Sequence, residues 1–321
     1  MVPDTTVVVC TRDRPAQLET CLDSLAAQTH LPFEVLVVDN GASGVVTDIC
    51  RARGVACIRE PIPGLTRARN LGARAARGEI VAYIDDDATA EPGWLNALVR
   101  EFADPGVAAV AGRTRYMTAW DGLRMTQDEA PGEPGPRLRQ AFDRSTRGWF
   151  AQACFGRIGD GNTMAFRRSV LLDAVRFDER LGRGRLIESG DEHVAFMSLI
   201  SDGHRVVHAP EAAVRHPMPG DPRLRRAKRL RDLRASFAYM IFLWFQFPTH
   251  RGDLSRFVVG GLYRRAGGTA RAVPAPTRLS AFQALAAAWS GICVYLRARR
   301  EWLPGDGRPA AAAMPRVVTL R

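Results

Sequence analysis

Short apolar runs rich in Val and Ile recur at residues 7–10, 33–38, 55–58 and 80–84. Runs of this kind suit strands buried on both faces, as in a parallel sheet. Between them the period changes. Leu18, Cys21, Leu22 and Leu25 repeat at i, i+3, i+4 and i+7 behind Pro15, a residue suited to a first helical turn. Residues 66–77 and 92–103 read as helices in the same way. The alternation predicts an α/β fold: a Rossmann-like, mostly parallel open sheet with helices on both faces and ligands at the carboxyl ends of the strands. Residues 127–136, QDEAPGEPGP, interrupt the pattern and predict a flexible loop over the site. Strand and helix signals resume at 161–175, 194–201 and 206–207, and the composition shifts at Pro217-Met218-Pro219.

Charge divides the 321-residue chain at that shift. Residues 219–321 hold 19 basic and 5 acidic side chains, a surplus of 14, whereas residues 1–218 carry a net charge of −3. Two regions follow: a near-neutral α/β domain over 1–218 and a basic, helical extension over 219–321. A surplus of this size points to an anionic surface, phospholipid or nucleic acid. The six cysteines show no CxxC spacing and read as reduced thiols. The start of the chain has no basic segment, and its apolar run is too short for a signal sequence, so a cytoplasmic location is expected.

The chemistry concentrates at residues 79–87, EIVAYIDDD, a hydrophobic strand ending in Asp85, Asp86 and Asp87. Three neighbouring carboxylates repel one another unless a proton or cation relieves them. A hard ion with oxygen ligands, Mg²⁺ or Mn²⁺, does so while also holding substrate phosphates. A solvated acidic turn is the plain alternative. The same residues with Ala88 and Thr89 fit the DxDx[TV] pattern of haloacid-dehalogenase-like phosphatases. Those enzymes need a downstream lysine, and the sole lysine, Lys228, lies among tail arginines.

Several segments, in order, resemble family-2 inverting glycosyltransferases of the GT-A fold. VVVCTRDRP (7–15) is similar to the opening strand and nucleotide loop, and EVLVVDNGA (34–42) to the second strand. GLTRARNLGARAARGEIVAYIDDD (64–87) resembles the ARN helix followed by the DxD strand. GNTMAFRR (161–168), FDERLG (177–182) and GDEHVAF (190–196) resemble the acceptor-side motifs, and VRH (214–216) the terminal histidine. Together they cover about residues 5 to 218.

The resemblance implies a nucleotide-sugar donor (UDP-, GDP- or dTDP-sugar), a glycan or lipid-linked acceptor, and inversion at the anomeric carbon. By position, Thr11 and Arg12 flank the base, Asp39 accepts a hydrogen bond from it, and Arg69 faces the base or diphosphate. Asp85 and Asp87 are the outer acids of the DxD, with Asp87 a direct metal ligand, Asp85 nearer the ribose and Asp86 on the donor side; His216 completes the metal shell. The base lies in the pair Asp191-Glu192, where the family has Glu then Asp. By position Glu192 replaces the usual base, and the choice between the two stays open. A catalytically silent carbohydrate or membrane-surface binding module on the same fold is the alternative of another class, and intact acidic motifs speak against it.

In the extension, seven basic residues between Arg223 and Arg234 precede ASFAYMIFLWFQF (235–247). Cations beside aromatics suit a membrane interface, here the cytoplasmic face of the inner membrane as a peripheral attachment. Residues 279–296 are uncharged, just long enough for a spanning helix. Two helices packed on the catalytic domain are the plain alternative. No zinc-finger or RNP-like pattern supports nucleic acid as the partner.

Overall fold

The computed structural model describes residues 4–30, 32–120, 125–129, 138–266 and 280–302. The chain opens with β1 (Thr5–Thr11), α1 (Pro15–Ala26), β2 (Phe33–Asp39), α2 (Val45–Ala52), β3 (Ala56–Arg59), α3 (Leu65–Ala75) and β4 (Ile80–Asp85). Then come β5 (Thr89–Ala90), α4 (Trp94–Val99), β6 (Val107–Trp120), β7 (Met125–Glu129), β8 (Gln140–Phe142), α5 (Trp149–Cys154), β9 (Thr163–Arg167) and α6 (Arg168–Val170). The rest is α7 (Asp191–Ser201), β10 (Arg205–Pro217), α8 (Pro222–Gln246), α9 (Arg251–Ala266) and α10 (Ala281–Glu301).

The strands form one sheet in the order β3-β2-β1-β4-β9-β6-β10-β5, with β7 added to β6 and β8 to β10. The parallel expectation holds for β3, β2, β1 and β4. Beyond β4 the sheet is mixed: β9 runs antiparallel to both β4 and β6, while β6 and β10 are parallel. β9 begins beside the carboxyl end of β4, with Thr163 opposite Ile84, and runs back along it.

Alternate residues of β1 serve the two layers, as the period of a strand requires. Val7 and Val9 pack with Leu18, Leu22 and Leu25 of α1 and Trp94 and Leu98 of α4. Val8 packs on the other side, in a core shared by α3, α7 and α8. On that side Gly72 of α3 lets the helix approach so closely that a Cβ there would meet Val8 Cγ1 at 2.5 Å.

The basic extension joins the same core. Ala238, Tyr239, Phe242 and Leu243 of α8 are buried with Phe196 and Leu199 of α7. Gly190 explains part of this fit: its φ of +93° turns the chain into α7, and a Cβ would stand 2.3 Å from the Tyr239 ring. Of the predicted spanning stretch 279–296, residues 281–296 lie in α10, which packs on α8, and residue 279 lies outside the described residues. Among the described residues, no helix is long and apolar enough to cross a membrane. Of the predicted loop 127–136, residues 127–129 belong to β7, and the others lie outside the described residues.

Candidate active site

A cleft of about 1000 Å³ opens at the carboxyl ends of β1 and β4, where an open α/β sheet leaves its loops free to bind ligands. Thr11 ends β1 and Asp85 ends β4, so adjacent parallel strands bring the first loop against the three-acid run.

The three acids have different environments. Asp86 is buried, accepting from Thr11 Oγ1 at 2.7 Å and from Arg14 Nη1 at 3.2 Å. Burial still pushes its carboxyl above the ordinary value, against those two partners. Asp87 accepts from Arg14 Nη1 at 2.7 Å and faces His216 Nε2 at 3.0 Å. Burial opposes its ionisation, yet His216 and Arg14 hold it below the ordinary carboxylate value. Asp85 is pushed up to about 6 by burial, with Arg69 countering and Asp87 adding repulsion.

One ligand atom each from Asp85, Asp87 and His216 lies within 4.8 Å of the others. The Nδ1–H of His216 is donated to the Pro217 carbonyl at 2.9 Å, so Nε2 is the ring atom that faces the carboxylates. Burial disfavours the imidazolium, while Asp87 and Asp85 draw a cation there and raise the His216 pKa. Two carboxylates and a neutral imidazole oriented from behind can hold a divalent metal ion. Tyr116 packs edge-on to His216, and its hydroxyl donates to Asp160 at 2.8 Å.

Arg69 links this cluster to the other end of the cleft. Its guanidinium is buried, donating to Asp191 Oδ2 at 2.6 Å, to Asp85 Oδ1 at 3.3 Å and to the Gly161 carbonyl at 2.8 Å. Burial works against its charge, but Asp191, Asp85 and Glu192 more than restore it. Its neighbour Asn70 pairs with both backbone groups of Phe177, which ties the 177–182 segment to α3.

Asp191 and Glu192 open α7, where the helix dipole favours acids. Asp191 is committed to Arg69. Burial, and then the charge of Asp191, push Glu192 well above the ordinary value, against the pull of Arg69. Behind it His193 Nε2 stands 3.6 Å from Glu192 Oε1, and burial lowers that imidazole to about 4.

Thr11, Arg12, Arg69, Asp85, Asp86, Asp87, Asp191, Glu192 and His216 thus line one cleft. Asp39 is not on its wall: it is buried at the end of β2 and accepts from the Gly41 amide at 2.9 Å, while the adjacent Asn40 reaches the cleft. Sequence reasoning missed Arg14, Tyr116 and Asp160. Arg14 had a signal, a cation in the loop after β1 facing a run of acids that needs one. Also missed was α8 as a wall, through Leu224, Lys228, Arg231 and Ser236. Lys228, read as remote in the tail, lines this cleft and pairs with Asp232 at 2.6 Å.

A family profile described as Glycosyl transferase family 2 matches residues 6–173. The chain belongs to this family. The transferase is 26% identical over 254 residues to a glucosyl-dolichyl phosphate glucuronosyltransferase of Haloferax volcanii, covering 74% of this chain and 73% of the relative. It is 29% identical over 228 residues to a pre-mycofactocin glycosyltransferase of Mycobacterium tuberculosis, covering 66% of this chain but 42% of that one. Its fold is that of a mannosyltransferase from Pyrobaculum calidifontis solved with GDP-Man and Mn²⁺, with a TM-score of 0.56 at 21% identity, covering 94% and 86% of the two chains. The GT-A expectation holds, and the transferase is an enzyme of the inverting, nucleotide-sugar-dependent class. The phosphatase reading falls with this assignment.

Proposed function

We propose that the transferase moves a sugar from a UDP-, GDP- or dTDP-sugar to a glycan or lipid-linked acceptor, with Asp85, Asp87 and His216 holding Mn²⁺ or Mg²⁺. The observation that carries this reading is the convergence of those three ligands with Arg69, Asp191 and Glu192 in one cleft. A bound divalent ion would offset the charge developing on the departing diphosphate.

Glu192 is the general base. Asp191 cannot easily serve, because its carboxylate is neutralised by Arg69 at 2.6 Å. Glu192 lines the cleft, and burial beside Asp191 raises its proton affinity, the direction that strengthens a carboxylate as a base toward an acceptor hydroxyl. Arg69 is a positioning residue: it fixes Asp191, and so the start of α7, relative to Asp85. Thr11 and Arg14 hold Asp86, which sets the turn that presents Asp85 and Asp87. Arg12 and Asn40 lie on the donor side of the wall, and Asp39 braces the loop behind them.

The extension, residues 219–321, attaches the enzyme peripherally to the cytoplasmic face of the inner membrane. Its charge surplus of 14 supports this, since basic residues near an anionic leaflet contribute about 1 kcal/mol each. The test of the donor reading is thermal stabilisation by nucleoside diphosphates, with and without Mn²⁺. Stabilisation by at least one of them that needs the ion is expected. Indifference to all of them would refute the donor reading.

A further inference from the structure

The five largest apolar side chains on the outer face of α10 are solvent-exposed: Phe282 79%, Leu285 70%, Trp289 68%, Ile292 37% and Leu296 50%. Their spacing of three and four residues puts them on one stripe, roughly 21 Å long at the rise of an α-helix. The opposite face, Ala287, Gly291, Tyr295 and Ala298, is buried. Gly291 is the closest point, where a Cβ would meet Phe237 Cβ at 2.6 Å and the Arg234 carbonyl at 2.7 Å. The inner face is therefore fixed on α8, and the stripe is held outward instead of being free to turn in.

Charge surrounds this stripe without entering it. Arg297, Arg299 and Arg300 follow it directly, and all three are exposed. Arg226 of α8 donates to Gln283 at 2.8 Å, and Tyr295 stacks on Phe245. The two helices thus run side by side in the same direction, and the arginine-rich first half of α8 flanks the first half of α10. Leu224, in that half, is 58% exposed and also lines the cleft. The surface flanking α10 therefore borders the cleft mouth.

We infer that α10 is an interfacial helix, lying in the plane of an anionic phospholipid leaflet with Phe282, Leu285, Trp289, Ile292 and Leu296 inserted below the headgroups. This rests on the peripheral-membrane reading and adds to it the inserting face. An apolar stripe bordered by cations matches a leaflet whose headgroups are anionic and whose interior is apolar. A second copy of the chain fits less well, because stripe-to-stripe contact would bring two strongly basic helix pairs together.

Cys293 supplies a native probe. It is the exposed one of the six cysteines and lies beside Ile292. The full chain, labelled there with an environment-sensitive fluorophore, is mixed with vesicles of phosphatidylglycerol and phosphatidylethanolamine. Blue-shifted emission, quenched by lipids brominated in the acyl chain, is expected, with little change on phosphatidylcholine vesicles. Leu285→Ser combined with Trp289→Ser, both at exposed positions, should weaken vesicle partitioning about tenfold or more while leaving donor hydrolysis unchanged. Vesicle binding with an unshifted, unquenched probe would overturn the inserted stripe and leave the peripheral reading standing. Failure to bind anionic vesicles at low salt would overturn both. A blue shift without lipid that grows with protein concentration would assign the stripe to self-association and overturn the inference.

Discussion

Arg69→Met removes the cation that faces Asp191, Asp85 and Glu192 from inside the cleft. In the parent, the guanidinium is 4% exposed and bonded to two carboxylates and a carbonyl. Breaking a buried pair by deleting one partner costs about 3–5 kcal/mol, a drop of roughly 10 °C in melting temperature for a chain of this size. The sign of the pH dependence follows from the acids left behind. Asp85 and Glu192 already sit above their ordinary values, and without Arg69 they rise further, so the folded form takes up protons first and regains stability as pH falls. The deficit is therefore full near pH 8 and shrinks toward pH 5. Calorimetric melts across that range check the stability, and initial rates of sugar transfer check the mechanism. Transfer should fall by about 10²-fold or more at pH 7, because the start of α7 loses its anchor, and the acid limb of kcat/KM should move to higher pH. Arg69→Lys, which keeps the charge but not the fork, should fall between. A Met variant with the parent's melting curve and pH profile would refute the linkage of the two ends of the cleft through Arg69.

Donor hydrolysis and transfer should require Mg²⁺ or Mn²⁺, and Asp87→Asn should abolish both along with ion-dependent nucleotide binding; full activity in excess chelator would remove the metal from the reaction. Glu192→Gln should cut transfer by roughly 10² to 10⁴-fold with donor affinity nearly intact, whereas Asp191→Asn should also lower stability through Arg69. Parent-like transfer by Glu192→Gln, measured under single-turnover conditions, would move the base elsewhere. His193 carries a pH signature of its own: its folded value of about 4 lies below the unfolded one, so its contribution is present above pH 6.5 and lost as pH falls. His193→Phe should gain about 2 kcal/mol relative to the parent between pH 7.5 and 5, read from denaturant midpoints, and a pH-independent difference would contradict the buried neutral imidazole.

The sequence made the first half of the fold legible because its strands are buried on both faces, so hydrophobicity alone marks them. Residues 7–10 and 80–84 fall within β1 and β4. It was less informative beyond β4. β6 and β10 are long and pair across bulges, β5 has two residues, and none of these leaves a simple period. The acids of the site were legible from their density, and their separate roles were not. Whether Asp191 or Glu192 is free depends on where Arg69 ends, and that is set by α3 packing through Gly72 and by the Gly161 carbonyl, both tertiary facts. Arg14 and Asp160 were missed for the same reason, as each acts by meeting a partner more than 40 residues away in sequence.

The wall that α8 contributes to the cleft bears on how this enzyme can be dissected. A fragment ending at Met218 would lack Leu224, Lys228, Arg231 and Ser236 and would uncover the surface against which Tyr239 and Phe242 are buried. Such a fragment would keep the metal ligands yet present a trough in place of a cleft. A chimera joining residues 1–218 to another tail would surround the same chemistry with different side chains. Tail exchange would therefore replace one wall of the cleft and leave its acidic floor in place.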